Sequence, residues 1–174
     1  MFTFTQLQEE QRPWVEHNFS GRPAHQPLLG IVEELGELAR AADREEREDA
    51  YADIAIFACD YCSAKGWDLA DIFTRSELYR RERIPGLMRV DARHFMFIQA
   101  ADLCHSHLKF EQKIRTGEAH DYAARKALST LLGELYCTAK DDGLELFAVV
   151  EKVWAKVKLR DWKKDSKSAG EVAK

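Results

Sequence analysis

Between Leu28 and Ala41 the chain places apolar side chains at helical spacing: Leu28, Ile31, Val32, Leu35 and Leu38. A period of three and four belongs to a helix with one face in a core. The other face carries Glu33, Glu34 and Glu37. At about 100° per residue these three fall within roughly 100° of one another. Like charges one turn apart destabilise a helix, so the cluster has a cost that a cation would offset. Hard cations such as Mg²⁺ prefer oxygen ligands. Without an ion, the same pattern is a solvated acidic face.

A second acidic segment follows. Asp49-Ala50-Tyr51-Ala52-Asp53 sets two carboxylates one turn apart, and Ile54, Ile56, Phe57 and Cys59 then make the segment apolar. Asp53 stands at the edge of a buried stretch, an expensive place for an unpartnered charge. Two antiparallel helices joined by a short turn would bring Glu34 and Glu37 opposite Asp49 and Asp53, four oxygen donors suited to Mg²⁺.

The chain of 174 residues suits one domain, or two small repeats folded as one. With 45% hydrophobic and 32% charged residues it reads as a soluble globular protein. A net charge of −4 gives no basic surplus, so stable nucleic-acid binding is not expected. No apolar run approaches the ~20 residues that span a bilayer. The start, MFTFTQLQEEQRPW, lacks the pattern of a signal peptide, which makes a cytoplasmic location the expectation. Cys59 and Cys62 form a CxxC inside an apolar helical pattern, without the turn residues that present zinc ligands. Cys104, His105 and His107 would complete a donor set, but small buried core residues are the simpler reading.

Helix punctuation divides the chain. Thr5 and Gln8 resemble a capping box for a helix running to about Asn18, with Pro13 bending or dividing it and Ser20-Gly21 ending it. Pro23 and Pro27 sit at the entry to the acidic helix, which runs to about Ala42. The second acidic helix reaches about Ala64 and stops at Lys65-Gly66. Asp68 can cap a third helix to about Arg83, and Pro85-Gly86 breaks the chain. Helices are then expected over about 91–114, 119–140 and 144–162, with a frayed polar tail over 163–174. No strand pattern is present, and the expected fold class is an all-α helical bundle.

The order recurs. Ser63-Ala64-Lys65-Gly66-Trp67-Asp68-Leu69 matches Lys140-Asp141-Asp142-Gly143-Leu144-Glu145-Leu146, 77 positions later, and Gly36-Glu37-Leu38 matches Ala101-Asp102-Leu103, 65 positions later. In this register Glu33 becomes Ile98, Glu34 becomes Gln99, Asp49 becomes Lys126 and Asp53 becomes Thr130. The expectation is two divergent tandem repeats, residues 1–86 with the acidic site and residues 87–162 without it.

His25-Gln26-Pro27-Leu28-Leu29-Gly30-Ile31-Val32-Glu33-Glu34-Leu35-Gly36-Glu37-Leu38, then Asp49 to Asp53, then Gly66-Trp67-Asp68-Leu69, resembles the MazG-like family of all-α nucleoside triphosphate pyrophosphohydrolases. The segment Trp154 to Trp162 is similar to the end of such proteins. The resemblance implies Mg²⁺-dependent cleavage of a nucleoside triphosphate between its α and β phosphates, with Mn²⁺ as an alternative ion. Glu33, Glu34 and Glu37 match the family's EExxE helix. Asp53 matches the last residue of its ExxD motif, whereas Ala50 stands where the Glu is expected and Asp49 is the substitute at hand. The family builds its sites from helices of two subunits, so either a homodimer or the tandem repeat would complete this one.

On this reading Glu34, Glu37, Asp49 and Asp53 hold the metal and Glu33 is the candidate base. Lys156, Lys158, Arg160 and Lys163 cluster near the end of the last helix as candidate phosphate contacts, or as cations complementing its dipole. Gln26 is a candidate base contact. Trp67, Trp154 and Trp162 fit either base stacking or the core. A catalytically inactive relative that binds a nucleotide or a partner is the alternative suggested by Ala50. A di-iron bundle would need Glu-x-x-His on two helices, and only Asp102-Leu103-Cys104-His105 comes near that pattern.

Overall fold

The computed structural model describes residues 1–81, 91–116 and 119–165, and among them every regular element is a helix. Seven helices form the body: α1 (Phe4–Phe19), α2 (His25–Arg40), α3 (Arg44–Lys65), α4 (Leu69–Arg81), α5 (Ala92–Glu111), α6 (His120–Asp141) and α7 (Leu146–Val157). A single turn, α8 (Trp162–Asp165), follows. No helix among these is long and apolar enough to cross a membrane. The break at Pro85-Gly86, the boundary between residues 86 and 87, Gly117 and most of the tail lie outside the described residues.

Local chemistry sets the boundaries. Thr3, not Thr5, caps α1, accepting from Gln6 N at 3.2 Å. The shift follows from Phe2 and Phe4, both buried, which draw the chain start onto the core and put Thr5 on the exposed side of the first turn. α1 runs unbroken through Pro13, which is solvent-exposed, so the carbonyl it leaves unpaired can meet water. Asp43 caps α3 by accepting from Glu46 N at 2.9 Å, while Glu46 reaches back to Ala42 N. Asp68 caps α4 through Asp71 N at 2.8 Å. α7 ends at Val157 instead of continuing to Trp162, because the chain turns there and Trp162 N bonds Asn18 Oδ1 of α1 at 2.8 Å.

The α2–α3 and α5–α6 hairpins form the two largest helix pairs. Each then lends the following helix to the other: α4 packs on α6, and α7 packs on α3. Buried positions recur in a common register. Ile31, Leu35 and Leu38 of α2 are buried, as are Met96, Ala100 and Leu103 of α5, 65 positions on. Ala50, Ile54 and Ala58 of α3 correspond in the same way to Ala127, Leu131 and Leu135 of α6, 77 positions on. Both second helices end in the same cap. Gly66 (φ 68°) donates to Ser63 O and Trp67 to Cys62 O, while Gly143 (φ 72°) donates to Lys140 O and Leu144 to Ala139 O. This left-handed closure favours glycine, which has no Cβ to strain.

Polar ties cross the apolar core. Gln8 of α1 donates to Ser63 Oγ and Trp67 O and accepts from Leu69 N, pinning the α3–α4 corner. The buried Tyr51 of α3 donates its hydroxyl proton to Asp142 at the end of α6 at 2.8 Å. Arg93 and Arg47 face the same carboxylate.

Candidate functional site

The apolar stripe of α2 faces inward, and this orientation decides the fate of each acid. Glu33 and Glu37 remain solvent-exposed, whereas Glu34 is turned toward α3 and is only 9% exposed. On α3, Asp49 is exposed and Asp53 half-buried, one turn further into the bundle. Ala50 is core, 2% exposed. A carboxylate at position 50 would therefore enter the apolar layer, and Asp49 is the residue that reaches the acidic edge.

Burial first, and then the negative charges of Asp53, Glu37, Glu33 and Asp49 in that order, together push the Glu34 carboxyl up to about 8. Asp53 is raised to about 6 by burial and by Asp49 and Glu37, with Arg160 acting in the opposite direction. The carboxylates predicted from the two helices thus sense one another. Glu34 Oε2 is buried and has no hydrogen-bond partner in the protein.

The four candidate ligands are divided between two clefts. Glu34 and Asp53 line one of about 250 Å³. Glu37 and Asp49 line the other, of about 320 Å³, together with Arg40 and Glu46. Among the described residues no three His, Cys, Asp or Glu side chains stand close enough to hold a metal ion. In kind, the donors suit a hard divalent cation: they are all carboxylates, and one has an orphaned buried oxygen. Enclosing an ion would require Glu37 or Asp49 to swing toward the Glu34–Asp53 pair.

The first cleft has aromatic walls. Trp14, Phe19, Phe57 and Trp162 line it, and Arg160 borders it. Trp14 Nε1 donates to Arg160 O at 3.0 Å, fixing the turn that carries Arg160. Phe57 closes on α2 so tightly that a Cβ at Gly30 would lie 2.5 Å from its ring. A buried ion pair of Arg22 with Asp60 forms part of the same wall, with Arg22 over the Phe19 ring. Removal from water pushes the Arg22 guanidinium below its ordinary value.

Of the other sequence candidates, Arg160 and Trp162 line the cleft. Lys156 and Lys163 are solvent-exposed, as is Gln26 in the first turn of α2. Lys158 is engaged by Glu10 of α1 at 2.8 Å. Trp67 and Trp154 are buried, and Trp154 donates to Glu10 at 2.9 Å. Cys59 and Cys62 are free, buried thiols whose ionisation burial opposes. His107 is buried against the Tyr61 hydroxyl at 3.1 Å.

Sequence reasoning missed Gln11, Arg22 and Asp60. Asp60 left a signal: an acid inside the apolar run from Ile54 to Tyr61 requires a partner. No protein-family model matches this chain, and no curated protein or solved structure is similar to it.

Proposed function

We propose that the chain is a Mg²⁺-dependent nucleoside triphosphate pyrophosphohydrolase, releasing a nucleoside monophosphate and pyrophosphate. The observation that carries this reading is the pairing of Glu34 with Asp53 at one wall of an aromatic cleft, with Glu34 Oε2 buried and unpartnered. Stacking walls suit a base, and the adjoining carboxylates suit the cation that accompanies a polyphosphate. The family resemblance of the two acidic helices points the same way.

Glu34 and Asp53, with Glu37 and Asp49 from the neighbouring cleft, would hold the ion. Bound there, Mg²⁺ supplies charge neutralisation and orientation of the phosphates. The protein's own contributions are separable. Arg160 offsets negative charge beside Asp53. Trp14 and Trp162 bound the base. Glu33, exposed next to Glu34, is the candidate to orient or deprotonate a water entering from solvent. The recurrent burial register and the two matching glycine caps support a tandem-repeat reading, with the second repeat contributing α7 to the cleft in place of a second subunit. Mn²⁺ would serve the same carboxylates, and a homodimer is compatible with this arrangement.

The second reading is an inactive nucleotide- or partner-binding relative. It is favoured by Ala50 and by the division of the carboxylates between two clefts. Pyrophosphate release from a panel of ribo- and deoxyribonucleoside triphosphates, with Mg²⁺ and with chelator, decides between them. Metal-dependent release that Glu37→Gln reduces at least ~100-fold, with helicity unchanged, supports hydrolysis. Absence of release from every nucleotide by the folded protein supports the binding module.

A further inference from the structure

Gln11 on α1 is 2% exposed. Its Nε2 donates to Ile56 O at 2.9 Å, which fixes the orientation of the amide. The other end, Oε1, is buried and has no hydrogen-bond partner in the protein. An unmet buried acceptor is unfavourable, and methionine would fill the same space without that penalty. Gln11 lines the Glu34–Asp53 cleft and also an adjoining one of about 330 Å³, and Phe19, Arg22 and Asp60 belong to both.

The charged groups around it are of both signs, with Arg160 at the border of the cleft. Glu34, Asp53 and Asp60 are carboxyls, and the Arg22 guanidinium is committed to Asp60. A flat ligand entering between the aromatic walls beside Gln11 would meet its amide oxygen, whose orientation is fixed and which favours an N–H edge over a carbonyl edge.

We infer that the cleft selects a nucleobase bearing an exocyclic amine, of the cytosine or adenine type, with Gln11 Oε1 accepting from that amine. Uracil and thymine are disfavoured because their ring N–H is flanked by two carbonyls. Gln11 is a specificity residue in this scheme. The inference rests on the nucleotide reading above but does not depend on turnover.

The test is quenching of tryptophan fluorescence by CMP, AMP and UMP in the presence of chelator. These monophosphates lack the α–β bond, so binding is read without hydrolysis. One well-placed hydrogen bond predicts that CMP and AMP bind on the order of tenfold more tightly than UMP. Gln11→Met should bring the three affinities to within about twofold of each other. Equal affinities in the native protein, no binding, or a preference that survives Gln11→Met would each overturn the inference. The native ranking is informative even if the variant does not fold. Preference without pyrophosphate release would leave this inference standing and remove the hydrolase reading; release without preference would do the reverse.

Discussion

Glu34→Gln should stabilise the empty protein, and by an amount that grows with pH. The Glu34 carboxyl has an ordinary value of 4.5 and is raised to about 8 in the folded chain, chiefly by burial and then by neighbouring acids. A carboxyl raised on folding is protonated in the native state and ionised in the unfolded one across that interval. Folding then takes up a proton, and stability is lost as pH rises from 4.5 toward 8. At 1.36 kcal/mol per unit, the penalty is about 1 kcal/mol at pH 5, about 3 at pH 7 and nearly 5 at pH 9. Glutamine is nearly isosteric and never ionises, so the variant should gain roughly these amounts over the native chain. Urea unfolding followed by circular dichroism at the three pH values, in chelator, reads the difference directly. Saturating Mg²⁺ should then reverse the order: the native chain gains about 2.7 kcal/mol at a hundredfold excess over its dissociation constant, and the variant gains little. A native-to-variant difference that stays constant from pH 5 to pH 9 would refute the assignment of the buried charge penalty to Glu34.

Gly30→Ala should push the Phe57 ring away from α2 and into the cleft, since the new Cβ would lie 2.5 Å from it. Nucleotide affinity should fall about tenfold and stability by about 1–3 kcal/mol, read by fluorescence titration and urea unfolding; unchanged affinity would show that Phe57 does not shape the binding surface. Gly66→Ala and Gly143→Ala should each cost about 1 kcal/mol, because both glycines sit at φ near +70°. Similar losses in the two urea midpoints are the expected result, and an unchanged midpoint at either would remove the cap from the account of that corner.

Periodicity and punctuation were sufficient for most of the helical order. The stop at Gly66 and the cap at Asp68 depend on residues within one turn of one another, and such local chemistry is written in adjacent letters. Thr3 was missed because Phe2 and Phe4 become buried only when α4 and α7 are in place: Phe4 meets the Phe73 and Phe147 rings. The acids of α2 and α3 were legible because helical spacing alone places them on common faces. Their separation into two clefts was not, since it depends on how α2 and α3 pack against each other and their neighbours. Lys156, Lys158 and Arg160 look equivalent in sequence. Glu10 engages Lys158, solvent surrounds Lys156, and Trp14 holds the turn that brings Arg160 to the cleft. Gln11 and Arg22 were invisible for a similar reason: their partners Ile56 and Asp60 lie on α3, far along the chain.

The exchange of α4 and α7 between the hairpins makes each half the other's missing core. Either half produced alone would expose the face that the borrowed helix covers. Split between α4 and α5, the chain should therefore behave as two obligate partners that recover structure only on mixing. The same topology suppresses partial opening. Loosening the acidic hairpin requires lifting α7 from α3, and lifting α7 uncovers part of the apolar surface of α3. Amide hydrogens in the middle of α3 should exchange with solvent only through global unfolding.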